Sequence, residues 1–191
     1  MKKFSFVILA MFLIVKADGQ TFDLLNGDTI NSTDLQKLKQ GYWVEMVNNN
    51  STKGRYVNSN KDGQWLTNGT KGGIIKIENY INGKKEGVVI TLDESGYLKS
   101  DISYKNDLLD GPSRVYAVGA RLTSEINYKK GIMHGAKKTF YESNNKPQEE
   151  SIFVNGLKDG VTKWYDINGK LLAEYTYKNG NFDGTNKTYY A

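Results

Sequence analysis

The sequence predicts an all-β protein, an elongated antiparallel β-meander built from about six 24-residue β-hairpin repeats. The first observation behind this is a recurring aromatic-to-glycine unit. Its aromatics are Tyr56, Tyr80, Tyr104, Tyr128, Phe153 and Tyr177, spaced 24, 24, 24, 25 and 24 residues apart. Each precedes a glycine by seven places: Gly63, Gly87, Gly111, Gly135, Gly160 and Gly184. A fixed period of this size marks an array of one small unit. The second observation is a turn signal at two points of every period. The third is period-2 alternation between the turns, which is the signature of a strand.

The first 19 residues stand apart from the repeats. Lys2 and Lys3 precede an apolar run from Phe4 to Val15, about the length of a signal-peptide core and too short to span a bilayer as a helix. Cleavage after Ala17 or after Gly19 fits the small-residue rule, and the second is preferred, giving a signal peptide over 1–19 and an exported product (periplasmic, cell-surface or extracellular). No integral membrane segment is expected after its removal. The chain has no cysteine, which excludes a lipid-anchored leader and leaves the exported fold to stand without disulfides. Losing three lysines and one aspartate with the leader lowers the formal charge from +5 to +3, so the basic character gives little support to a nucleic-acid partner.

Residues 20–55 read as a divergent N-terminal capping repeat, because Gly41-Tyr-Trp43 echoes Gly63-Gln-Trp65 of the next unit. Terminal repeats are expected to be atypical. A short helix is expected over Asp34–Lys39. Residues 56–191 form the regular array. Asn82-Gly83, Asn155-Gly156 and Asn179-Gly180 are type I′ hairpin signals, with Asn58-Ser59, Asn106-Asp107 and Lys130-Gly131 in the equivalent places. Half a period later come Gly72-Gly73, Ser95-Gly96, Val118-Gly119, Asn144-Asn145 and Asn168-Gly169. Between them, stretches such as Leu98-x-Ser100-x-Ile102-x-Tyr104 place alternate side chains on one face. The count of turns gives a meander of about twelve strands.

The repeat resembles the MORN (membrane occupation and recognition nexus) family, and more closely its bacterial variant with the pattern Tyr-x-Asn-Gly-x-x-x-Gly-x-x-x-x-Tyr. The resemblance covers roughly 85% of the mature chain. It implies a β-hairpin repeat scaffold that binds protein, since members of the variant are commonly labelled antitoxins of toxin–antitoxin systems. Typical MORN units carry a second glycine where this chain has Trp65, Val89, Ser113, Lys137, Thr162 and Asn186, which weakens transfer of a lipid-binding role. The leader also departs from the cytoplasmic setting of an antitoxin.

No catalytic, cofactor-binding or metal site is predicted. His134 is the single histidine and occupies a column otherwise held by Asp62, Glu86, Asp110, Asp159 and Asp183, where an acid before glycine is turn chemistry. One carboxylate per loop, with equivalent loops about 10 Å apart, does not assemble a calcium site. Glu149 and Glu150 are adjacent and alternate faces on a strand. The candidate binding stripe is a basic column three places after the repeat glycine, Arg114, Lys138, Lys163 and Lys187. It shares a face with the large residues Tyr116, Phe140, Tyr165 and Tyr189 two places further on. Charge and cation–π contact suit such a stripe to a protein edge or, as the alternative, to an anionic lipid or glycan. The expected function is therefore an exported, non-enzymatic scaffold for protein–protein binding.

Overall fold

The structure, a computed structural model, describes residues 20–190; the leader expected over 1–19 lies outside them. The described residues form strands β1 (Thr21–Leu25), β2 (Asp28–Thr33), β3 (Lys39–Val47), β4 (Asn50–Val57), β5 (Asn60–Asn68), β6 (Ile74–Ile81), β7 (Lys84–Lys85), β8 (Gly87–Leu92) and β9 (Leu98–Lys105). They continue through β10 (Leu108–Ala117), β11 (Arg121–Lys129), β12 (Ile132–Phe140), β13 (Pro147–Val154), β14 (Leu157–Lys158), β15 (Gly160–Tyr165), β16 (Leu171–Lys178), β17 (Asn181–Phe182) and β18 (Lys187–Thr188). Successive strands pair antiparallel, so chain order is sheet order and the sheet is one open meander. The eighteen segments exceed the dozen expected because the N-terminal region adds hairpins and because three strands are broken next to the repeat glycine, as β7/β8, β14/β15 and β17/β18.

That break is a β-bulge, and it explains the repeat glycine. Between Tyr104 and Ile102 on β9, the partner strand advances from Leu109 to Ser113, so two extra residues are looped out around Asp110-Gly111. The same shift separates Met133 from Lys137 on β12. A bulge of this kind needs a residue at positive φ, and Gly111 and Gly160 stand at +102° and +110°, which only glycine adopts readily.

The hairpin turns have the expected left-handed pairs, such as Asn82 and Gly83 at +49° and +81°. They are also stacked. The second turn residue donates its N–H to a carbonyl of the preceding unit: Gly83 to Lys61 at 2.8 Å, Asp107 to Lys85 at 3.1 Å, Gly131 to Leu109 at 2.7 Å, Gly156 to Met133 at 2.9 Å and Gly180 to Lys158 at 2.8 Å. The acidic column adds a second link. Carboxylates of Glu86, Asp110 and Asp159 accept the backbone N–H of Asn106, Lys130 and Asn179, each in the next turn. These acids are therefore joints between units. At the same position His134 has its Nδ1 buried without a hydrogen-bond partner.

The helix expected over Asp34–Lys39 is absent. Asp34 Oδ1 accepts the N–H groups of Gln36 and Leu38 and Lys37 takes a φ of +63°, so side-chain capping closes a tight turn where a helix would have started.

One face of the sheet holds the core. Tyr56, Trp65 and Tyr80 form its centre with Trp43 packed against them, and Trp43–Tyr56 and Tyr56–Trp65 meet edge to face with ring centroids 5.7 Å and 4.8 Å apart. Trp65 is only 1% exposed although the described residues form a single-layered sheet. Gly54 makes this possible, because a Cβ there would overlap the indole. The indole N–H is satisfied by the Arg55 carbonyl at 3.1 Å.

Candidate functional site

On the opposite face the basic column does not stand alone. In register across adjacent strands run Asp101, Arg114, Glu125, Lys138, Glu150, Lys163, Glu174 and Lys187. The row is a ladder of alternating charge crossing the sheet from β9 to β18. Opposite charges directly across a strand pair stabilise the pairing, as like charges would oppose it. Arg114 bridges Asp101 at 3.2 Å and Glu125 at 3.1 Å, Lys138 binds Glu150 at 2.9 Å, and Lys163 binds Glu174 at 3.2 Å. Lys187 closes the row beside Glu174.

The aromatic column serves the carboxylates of this ladder. Tyr116 donates to Asp101 at 2.7 Å, Tyr165 to Glu150 at 2.9 Å and Tyr189 to Glu174 at 3.1 Å. Phe140 lacks the hydroxyl that its column would offer Glu125, and that carboxylate instead takes both Nε and Nη2 of Arg114. Burial and the bond to a carboxylate push the Tyr116 and Tyr165 phenols up to about 12. Lys138, with help from Tyr165, holds Glu150 below the usual carboxylate range, and Lys163 does the same for Glu174.

The acidic half of the ladder, absent from the stripe expected on sequence, has a signal as periodic as the basic one. Asp101, Glu125, Glu150 and Glu174 stand three places before Tyr104, Tyr128, Phe153 and Tyr177. Read together, the two columns predict a neutral ladder where either alone predicts a charged stripe.

Beside the ladder, toward the stacked hairpin turns, the same face carries aliphatic side chains that none of the described residues covers. Leu108, Ile132 and Leu157 are 50%, 52% and 49% exposed, and Ile152 and Val161 are 43% and 44% exposed. Register puts them on the ladder face: Leu109, Met133 and Lys158 lie opposite core-face aromatics Tyr104, Tyr128 and Phe153, so the preceding residues point the other way. Ala136, Ile152 and Val161 share a shallow groove of about 250 Å³ with Lys138, Glu150 and Lys163.

The core face carries its own unforeseen column. Lys61, Lys85 and Lys158, two places before the repeat glycine, lie over the next unit's Tyr80, Tyr104 and Tyr177 at 5.2 Å in each case, and Lys39 lies 4.8 Å from Tyr56. Cation–π contact thus serves to cover the core aromatics. Glu78 is buried there between Lys76 at 2.9 Å and Lys85 at 3.4 Å. Burial pushes its carboxyl up, and the two lysines more than offset this and hold it below the usual range. Glu149 faces this side, bound to Lys137 and Lys158, while Glu150 faces the ladder, as adjacent strand residues must. A polar groove of about 750 Å³ over Thr52, Lys61, Glu78 and Thr91 is lined by both signs of charge.

Among the described residues no three His, Asp or Glu side chains gather as a metal site, and no helix is long and apolar enough to cross a membrane. No protein-family model matches the chain, and no curated protein matches it.

Proposed function

We infer that the chain is an exported, non-enzymatic repeat scaffold that binds a protein partner through its ladder face. The observation that carries this reading is the pairing of an uncovered aliphatic strip with a row of internally neutralised charges. An apolar centre flanked by polar groups is the anatomy of a protein interface. A polyanion would need cations free to meet it, whereas Arg114, Lys138 and Lys163 each already hold a carboxylate. The MORN-like pattern of the repeat favours the same class of partner, and an antitoxin-like role belongs to this proposal. The rigid joints between successive turns keep the strip in one geometry, which lowers the ordering cost of binding.

The test is capture of envelope proteins by the protein purified after expression of the full chain, at low and high salt. Ile152→Asp should abolish capture, and added salt should weaken wild-type capture only slightly, because an apolar contact is poorly screened. Capture lost steeply with salt and unaffected by Ile152→Asp would replace this reading with binding to an anionic lipid or polysaccharide.

A further inference from the structure

We propose that the partner on the ladder face is a second copy of this chain, packed face to face about a two-fold axis that runs parallel to the strands between β12 and β13. The inference rests on the reading that this face binds protein, and it names the protein.

Among the described residues the ladder has eight rungs and alternates without a break. Turning a copy about an axis at its midpoint reverses the order of the rungs. Asp101 then meets Lys187, Arg114 meets Glu174, Glu125 meets Lys163, and Lys138 meets Glu150, so every superposed pair is of opposite sign. An odd ladder, or one of a single sign, would set like charges against each other. In an isologous interface each such pair occurs twice.

The axis keeps the direction along the strands, so the hairpin-turn side of one copy stays over that of the other and strip meets strip. The exposed aliphatics concentrate at this midpoint: Ile132 on β12, Ile152 and Val154 on β13, and Leu157 and Val161 on the adjoining strand. Two sheets in aligned packing cross at about 30°, which holds the central rungs in register and splays the outer ones. The repeat period also matches. A partner built on any other spacing would drift against like-charged rungs that recur about every 10 Å, whereas a second copy cannot. The ladder and its strip span roughly 34 Å across the strands and about 20 Å along them, a footprint on the order of 700 Å² per copy. Standard interfaces bury about 800 Å² per partner, so a reversible dimer is the expected species.

Sedimentation of the protein purified after expression of the full chain, from about 1 to about 100 μM, reads the proposal. Wild type should pass from monomer to dimer. Lys138→Glu alone should set two carboxylates against two and raise the dissociation constant at least about tenfold. Glu150→Lys alone should do the same with ammonium groups. Mixed in equal amounts, the two variants should recover dimers, because each then supplies the charge the other lacks on both sides of the axis. Neither change in isolation creates that complementarity within one sheet, so recovery cannot arise from refolding; a thermal melt of each variant confirms that it is folded. A monomer at every concentration, or a dimer indifferent to both variants and their mixture, overturns the proposal. If wild type is monomeric while capture of envelope proteins is still lost with Ile152→Asp, the self-pairing fails and the protein-binding reading stands.

Discussion

At the level of the sheet where the C-terminal units carry the charged ladder, the N-terminal units carry Leu66, Ile77 and Ile90 in the same register. The other face differs less. The first units pack Trp43, Tyr56, Trp65 and Tyr80 together, and the later units bury Phe153 and set Trp164, Tyr175 and Phe182 edge to face. These later units also bury Ser151 and Thr162 and carry the Lys137–Glu149 pair on that face. On the ladder face one backbone plan thus carries two chemistries, aliphatic side chains at one end and paired charges at the other. The turn-to-strand bonds that join the units are common to both halves. The repeat therefore specifies geometry through its turns and bulges, and the strand positions between them are free to vary. In a linear array each unit leans on its neighbours, so an apolar N-terminal end would support the less apolar units that follow.

The sharpest break in this comparison is Trp65→Ala. It removes the most buried large side chain and leaves Tyr56 and Gly54 facing a void, so a cost of about 3–5 kcal/mol is expected in chemical unfolding. The same truncation at Thr162, equally buried in the C-terminal half, removes only a methyl and an unpartnered hydroxyl and should cost far less. Similar losses at the two sites would mean that the Trp65 cluster is not a main source of stability.

The architecture was legible because its signals are local. Asn-Gly at fixed spacing encodes positive φ directly, and the period-2 stretches encode strands without reference to distant residues. The repeat glycine was legible as a special position, though its bulge was not, since a bulge is a relation between two strands. The helix expected at Asp34 failed for a related reason: Asp initiates a turn or a helix equally well, and Leu38 N–H rather than a following helical turn took the carboxylate. At the candidate site the cations and tyrosines of the stripe are legible as columns, and the pairing with their carboxylate partners is not. A column of lysines seen alone suggests a binding surface; the partner column at Asp101, Glu125, Glu150 and Glu174 becomes significant only once register sets it alongside.

The next effect in size concerns what the two halves share. Gly160→Val forces a branched side chain into φ near +110° at the bulge, at a cost of at least about 1 kcal/mol. Gly87→Val, at +84° in the N-terminal half, should cost a similar amount, because the bulge is part of the common plan. An unchanged melting temperature for both would show that the bulge tolerates any residue.

The smallest effect, and the most specific to the C-terminal half, is that of Glu150→Gln. The carboxylate accepts Lys138 and the Tyr165 hydroxyl, but it is partly exposed, so its removal should cost no more than about 1 kcal/mol at neutral pH. The pH dependence identifies the cause. Lys138 first, then Tyr165, hold the folded-state pKa of Glu150 below its unfolded value, so the folded protein binds fewer protons than the unfolded chain in that range. The stabilisation is therefore present above the unfolded value of about 4.3 and disappears as pH falls through the folded one. The difference in stability between wild type and Glu150→Gln should shrink as pH is lowered from about 7 to about 3. No comparable change should accompany Ile77→Val, at the same level of the sheet, because no charge is involved there. A difference for Glu150→Gln that stays constant to about pH 3 would mean that shape rather than ionisation holds this rung of the ladder.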